Sequence, residues 1–87
     1  MNVRAPRRPY RIEFTPEARR NLTSLQSDIL RRIDAKILSL TDNPRPRGAV
    51  ALRGGEGLLR LRVGDYRIVY EVRDTVLVVL VVRIGHR

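Results

Sequence analysis

The sequence predicts an α+β fold: a strand, two helices and a three-strand meander, with the helical hairpin packed on one face of an antiparallel sheet. Three observations predict it. Two amphipathic stretches at helical spacing lie between residues 16 and 40. One strand-like stretch precedes them and three follow. Turn-forming residues separate the last three strands. At 87 residues the chain suits one small domain. It lies just above the ~70–80 residues below which staples or metals are usually needed.

Residues 1–9 hold three arginines and two prolines and read as a flexible basic tail, leaving 10–87 as the single domain. Tyr10-Arg11-Ile12-Glu13-Phe14 alternates strictly and predicts a half-buried strand. Thr15 can cap the next helix, Pro16 suits its first position, and Glu17 favours the positive end of the helix dipole. Ala18, Leu22 and Leu25 share a face of that helix. Ser27-Asp28 reads as a break and a second cap. The second helix places Leu30, Ile33, Ile37 and Leu40 on one stripe, and Asp42-Asn43-Pro44 stops it. Residues 43–57 are loop-like, with a short extended piece at 50–53. Leu58 to Val63 is a strand, Gly64-Asp65 a tight turn, and Tyr66 to Val72 the strand returning. Arg73-Asp74-Thr75 turns again into a β-branched third strand, Val76 to Ile84, whose few polar residues suit a central position.

Composition excludes several chemistries. There is no cysteine, so disulfides, zinc-thiolate sites and cysteine nucleophiles are ruled out. The single histidine, His86, rules out a His-pair metal site. No metal and no cofactor is expected. The longest apolar run, Val76 to Val82, has seven residues, far short of the ~18 a membrane helix needs. The N-terminal stretch lacks the apolar core of a secretory signal. The expectation is a cytoplasmic protein without membrane contact.

Charge points to the partner. The formal net charge is +9 with a pI near 11.5, and of the 18 basic residues only Lys36 is a lysine. Planar, forked guanidiniums suit phosphates and base stacking. So basic a domain predicts a polyanion or an acidic protein as partner.

Strand alternation gathers the candidate site. Leu59, Leu61 and Val63 share one face of the first meander strand, and Arg60 and Arg62 the other. In the next strand Arg67 shares a face with Val69, Glu71 and Arg73. A register across the Gly64-Asp65 turn can bring Arg60, Arg62 and Arg67 onto one open sheet face, with Arg87 just past the end of the third strand. Four guanidiniums so placed make a phosphate clamp. The alternative is an ordinary exposed face whose arginines pair with Glu71, Asp65 or Asp74. The glycines at 54–57 lack a phosphate-loop pattern and read as turn chemistry. Tyr10, Tyr66 and Tyr70 read as packing residues.

Pro44-Arg45-Pro46-Arg47-Gly48, Leu52-Arg53-Gly54, the run from Leu58 to Tyr70 and Ile84-Gly85-His86-Arg87 together resemble the RelE/ParE toxins of bacterial toxin–antitoxin pairs. The likeness spans roughly residues 10–87, and Arg62-Val63-Gly64-Asp65-Tyr66-Arg67-Ile68-Val69-Tyr70 is its specific part. The resemblance implies a RelE-like fold and a ribosome-dependent endoribonuclease that cuts messenger RNA in the ribosomal A site. The messenger's 2′-hydroxyl attacks the adjacent phosphate, and translation arrests. It implies catalytic roles for Arg60, Arg62, Arg67 and Arg87, and RNA binding by Arg53, Arg45 and Arg47.

Arginine is a poor proton acceptor at neutral pH. Many family members carry a tyrosine or histidine several residues beyond the Gly-x-Arg, whereas this sequence stops at Arg87. The expectation is therefore that His86 substitutes as acid or base, or that activity falls by roughly 10²–10⁴-fold relative to a tailed form. Two rival functions share the fold: a ParE-like inhibitor of DNA gyrase, and a relic that only binds antitoxin. The implied partners are an acidic, partly disordered RelB-like antitoxin, the ribosome and its messenger, with operator DNA bound only through the antitoxin.

Overall fold

The computed structural model describes residues 9–86, so Arg87 and all of the predicted basic tail except Pro9 lie outside the described residues. Seven elements follow in chain order: β1 (Arg11–Phe14), α1 (Pro16–Thr23), α2 (Ser27–Ser39), β2 (Val50–Ala51), β3 (Leu58–Val63), β4 (Tyr66–Arg73) and β5 (Val78–His86). The strands form one sheet in the order β1-β5-β4-β3-β2. This is the expected α+β architecture, with β3, β4 and β5 as an antiparallel meander. One pairing departs from an all-antiparallel sheet. β1 runs parallel to β5, with Ile12 opposite Val79 and Phe14 opposite Val81, so the sheet is mixed. A parallel pair needs a crossover connection, and both helices lie within it.

Local chemistry sets the helix boundaries. The Thr15 hydroxyl accepts the Ala18 amide at 3.1 Å and donates to the Val82 carbonyl at 2.6 Å. Pro16 and Glu17 fill the first turn of α1. The second cap is not at Ser27-Asp28 as expected. Gln26 is the extended cap residue, and Ser27 and Asp28 already lie in the first turn of α2. The cause is a tight exit from α1. The Ser24 amide and hydroxyl both donate to the Asn21 carbonyl, at 3.2 and 2.8 Å. The Leu25 amide donates to Leu22, so the chain is extended again by Gln26.

The core lies between the helices and one face of the sheet. Ala18 of α1 and Ile33, Ile37 and Leu40 of α2 and its cap meet Leu61, Ile68, Tyr70, Val79, Val81 and Ile84. Each large aliphatic side chain buried this way is worth about 1.5–3 kcal/mol. α1 lies along β5 and α2 along β3. Among the described residues the sheet's other face carries no helix, and that is where the arginines emerge.

The third meander strand starts later than predicted. Residues 74–77 form the turn, closed by the Leu77 amide on the Asp74 carbonyl at 3.3 Å, with Leu77 at φ 54°. β5 therefore begins at Val78 and runs on to His86, in a central position between β1 and β4. The β4–β5 register is in step from Arg73 opposite Val78 to Tyr70 opposite Val81. The next pair is Val69 with Arg83, so Val82 is an inserted bulge residue. A one-residue slip exchanges the two faces of everything beyond it. Ile84 then enters the core, and Arg83 turns outward.

β1 ends before β5 does. From there α1 completes the edge of β5. Thr15 donates its amide to the Val81 carbonyl at 3.0 Å, and the Asn21 side-chain carbonyl accepts the Ile84 amide at 2.9 Å. Backbone groups of a strand edge are thereby paired where no neighbouring strand exists.

Candidate nucleic-acid interface

The β3–β4 register settles which arginines share a face. Arg62 stands opposite Arg67, and Arg60 opposite Val69. Across β4, Arg67 faces Gly85 and Val69 faces Arg83. Leu61, Ile68 and Ile84 belong to the core, so by alternation Arg60, Arg62, Arg67 and Arg83 project from the helix-free face. The expected grouping of Arg60, Arg62 and Arg67 is present. Together with Gly48, Val50 and Tyr66 they line a cleft of about 430 Å³.

The turn shapes that cleft. Gly64 has φ +59°, a backbone state that L side chains rarely adopt. A Cβ there would also lie 3.1 Å from the Arg32 guanidinium on α2. The Gly64 carbonyl accepts the Arg62 Nε–H at 3.0 Å. Arg62 is thus held at the mouth of the turn. Asp65, the nearest acid in the chain, lines a separate groove of about 140 Å³ on the helix side with Ile29, Arg32, Ile33, Val63 and Tyr66.

The remaining predicted residues are not all brought to this cleft. Arg45 sits at the other end of β4. Its two guanidinium nitrogens donate to the Asp74 carboxylate at 3.1 and 2.9 Å, and the Tyr10 hydroxyl donates to the same group at 2.6 Å. Arg67 and Asp74 are seven residues apart on an extended chain, roughly 23 Å. Hydrogen bonds from Arg45, and then from Tyr10, hold the Asp74 carboxyl down at about 2. The same contact with Asp74 raises the Tyr10 phenol and the Arg45 guanidinium above their usual values. Arg47 is exposed next to Gly48 at the cleft wall, and Arg53 is exposed in the turn between β2 and β3.

His86 pairs with Tyr66 across the ladder, on the side of the sheet opposite Arg67 and Gly85. The two rings meet edge to face, 4.9 Å between centroids and 87° between planes. Arg87 lies outside the described residues. Tyr70 is a packing residue as read, buried in the core with its hydroxyl donating to the Pro44 carbonyl at 2.8 Å. Burial pushes its phenol up to about 12. Among the described residues no group of three or more His, Cys, Asp or Glu could hold a metal ion, and no helix is long and apolar enough to cross a membrane.

Arg83 is the site-face residue that alternation along the sequence does not find. Continuing the early register without the bulge would set it opposite Ile68 and point it into the core. The available signal is its setting: a lone charge between Val82 and Ile84 has to face water.

Several known proteins resemble this chain. The sequence model of the ParE toxin of type II toxin–antitoxin systems matches residues 12–87. Toxin RelG of Mycobacterium tuberculosis is 32% identical over 80 residues, covering 91% of this chain and 92% of that protein. A putative RelE-like toxin of Escherichia coli is 31% identical over 80 residues, covering 90% and 83%. Among solved structures, the toxin–antitoxin complex RelBE2 of M. tuberculosis matches with TM-score 0.81 at 33% identity, over 91% of this chain and 92% of that one. The archaeal RelE–RelB complex of Pyrococcus horikoshii matches with TM-score 0.79 at 28% identity, over 91% and 96%.

Proposed function

This chain belongs to the RelE/ParE superfamily of type II toxins, and from that premise we propose that it is a ribosome-dependent endoribonuclease that cuts messenger RNA in the A site. The observation that carries this reading is the cleft with three arginines and, among the described residues, no acidic lining residue. In the proposed reaction the messenger's 2′-oxygen attacks the adjacent phosphorus and the bond from phosphorus to the 5′-oxygen breaks. The products are a 2′,3′-cyclic phosphate and a 5′-hydroxyl. The 2′-proton is lost to water, and the 5′-oxygen takes one from water. Negative charge builds on the phosphate in between. Arg62 and Arg67 stabilise it, Arg60 neutralises the backbone, and Arg87 adds a fourth guanidinium. Fixed cations of this kind are typically worth 10²–10³-fold in rate each.

The partner is an antitoxin, as in the RelE–RelB complexes that this fold matches. An acidic antitoxin segment over the cleft neutralises the arginines. The helix-side groove, with its apolar floor and Arg32, suits an amphipathic segment of the same partner.

A second reading is favoured by the matched family model itself, which is that of ParE. A ParE-like chain blocks DNA gyrase without cutting RNA. Primer extension on a defined messenger, with and without translating ribosomes, separates the two. The endoribonuclease reading predicts cuts only with ribosomes, made about 10²–10³-fold more slowly by Arg67→Ala. Intact messenger together with loss of gyrase supercoiling would establish the other.

A further inference from the structure

The open face is zoned by charge. Toward the β4–β5 turn it carries Arg11, Glu13, Glu71 and Arg73, and each glutamate is bonded to the arginine of its own strand: Arg11 to Glu13 at 2.8 Å and Arg73 to Glu71 at 2.5 Å. Toward the β3–β4 turn the register places Arg60, Arg62, Arg67 and Arg83. Among the described residues, no acid shares those rows of the ladder. Three of the four line the cleft. Arg83 stands outside it, in line with Arg60 across Val69.

Val69 explains what the fourth arginine does. It faces away from the helices, lies outside the core cluster, and is still only 1% exposed. Its two ladder partners are Arg60 and Arg83, both exposed, and side chains of that kind can cover apolar surface with their stems while the guanidiniums reach water. The two Cα positions lie two strand spacings apart, roughly 10 Å. Two cations separated by a dry, apolar floor form a bridge that a strand of successive phosphates can span.

We propose that Arg83 is a second phosphate-binding residue, which with Arg60 holds the phosphate next to the scissile one and directs single-stranded RNA across the sheet from Arg62 and Arg67 toward β5. This rests on the endoribonuclease reading. Arg83 does not touch the reacting phosphate. Its contact is the same in ground and transition states, so it sets KM and leaves kcat alone. The ligand class is a single-stranded backbone of at least two consecutive phosphates.

The test is steady-state cleavage of ribosome-bound messengers, each carrying one neutral methylphosphonate at a phosphate beside the cut. Arg83→Ala is expected to raise KM about tenfold, the size of one charge-assisted contact, with kcat within about twofold. One methylphosphonate position should weaken the wild type and leave Arg83→Ala unaffected, and Arg83→Lys should recover most of the loss. A fall in kcat, or losses from Arg83→Ala and every methylphosphonate that simply multiply, would overturn the proposal. Should the wild type cut no messenger, the endoribonuclease reading fails, and Arg83 is judged by binding of single-stranded RNA. A log–log salt slope shallower by about 0.7 in Arg83→Ala then sustains the contact, and an unchanged slope rejects it.

Discussion

Arg62 and Arg67 stand directly opposite each other across the β3–β4 ladder. Like charges in that position repel. The Arg62 Nε–H donates to the Gly64 carbonyl at 3.0 Å. The register therefore sets two cations on facing positions of the ladder. Such an arrangement lowers stability while favouring a phosphate that enters between them.

Removing one of the two charges should stabilise the empty protein. Arg67→Gln, which leaves the Arg62 bond to the Gly64 carbonyl in place, is expected to raise unfolding free energy by about 0.2–1 kcal/mol. The gain should shrink as salt screens the pair. The same variant should cut messenger more slowly, so stability and activity move in opposite directions. Urea denaturation at low and high salt checks the first part.

Acid should loosen the far end of the sheet. In the folded chain the Asp74 carboxyl titrates at about 2, held there by hydrogen bonds from Arg45 and Tyr10. In the unfolded chain it titrates near the ordinary ~3.9. A depressed folded value means a contribution to stability present above about 4 and lost as pH falls toward about 2. Urea midpoints measured from about pH 5 downward should fall across that window, and Asp74→Asn should flatten this part of the profile.

Alkali acts through Tyr70. Burial pushes its phenol up to about 12 in the folded chain, against about 10 when unfolded. A raised folded value means stability complete below about 10 and lost as pH rises toward about 12. Tyr70→Phe should remove that loss. It should also cost about 1 kcal/mol at neutral pH, because the hydrogen bond to the Pro44 carbonyl disappears.

Asn21 finishes the edge of β5 that β1 leaves bare. Its side-chain carbonyl is the acceptor for the Ile84 amide. Asn21→Ala leaves a part-buried donor without that partner and should destabilise by about 1–3 kcal/mol. Hydrogen exchange at the Ile84 amide should accelerate with it, whereas a surface change in α1 should leave that amide protected.

The parts of this fold written in local chemistry were legible in the sequence. The Thr15-Pro16-Glu17 start, the stripe through Ile33 and Ile37, and the Gly64-Asp65 turn all stand as read. So does the grouping of Arg60, Arg62 and Arg67, because a two-residue turn fixes register between adjacent strands. What depended on distant contacts was not legible. The parallel partnership of β1 with β5 joins segments more than sixty residues apart. The bulge at Val82 reverses the faces of β5, and with them the fate of Arg83, yet Val82 reads like its β-branched neighbours. The pairing of Arg45, an implied RNA-binding residue, with Asp74 at the opposite end of β4 also joins segments distant in sequence.

The most direct test of the central claim is the single-turnover rate at which the wild type and Arg67→Ala cut a messenger held in the ribosomal A site. If the opposed arginines stabilise the charge that builds on the scissile phosphate, Arg67→Ala should be slower by about 10²–10³-fold while its thermal stability is unchanged or higher. Cutting within about twofold of the wild type would contradict it and leave the arginine face without a catalytic role.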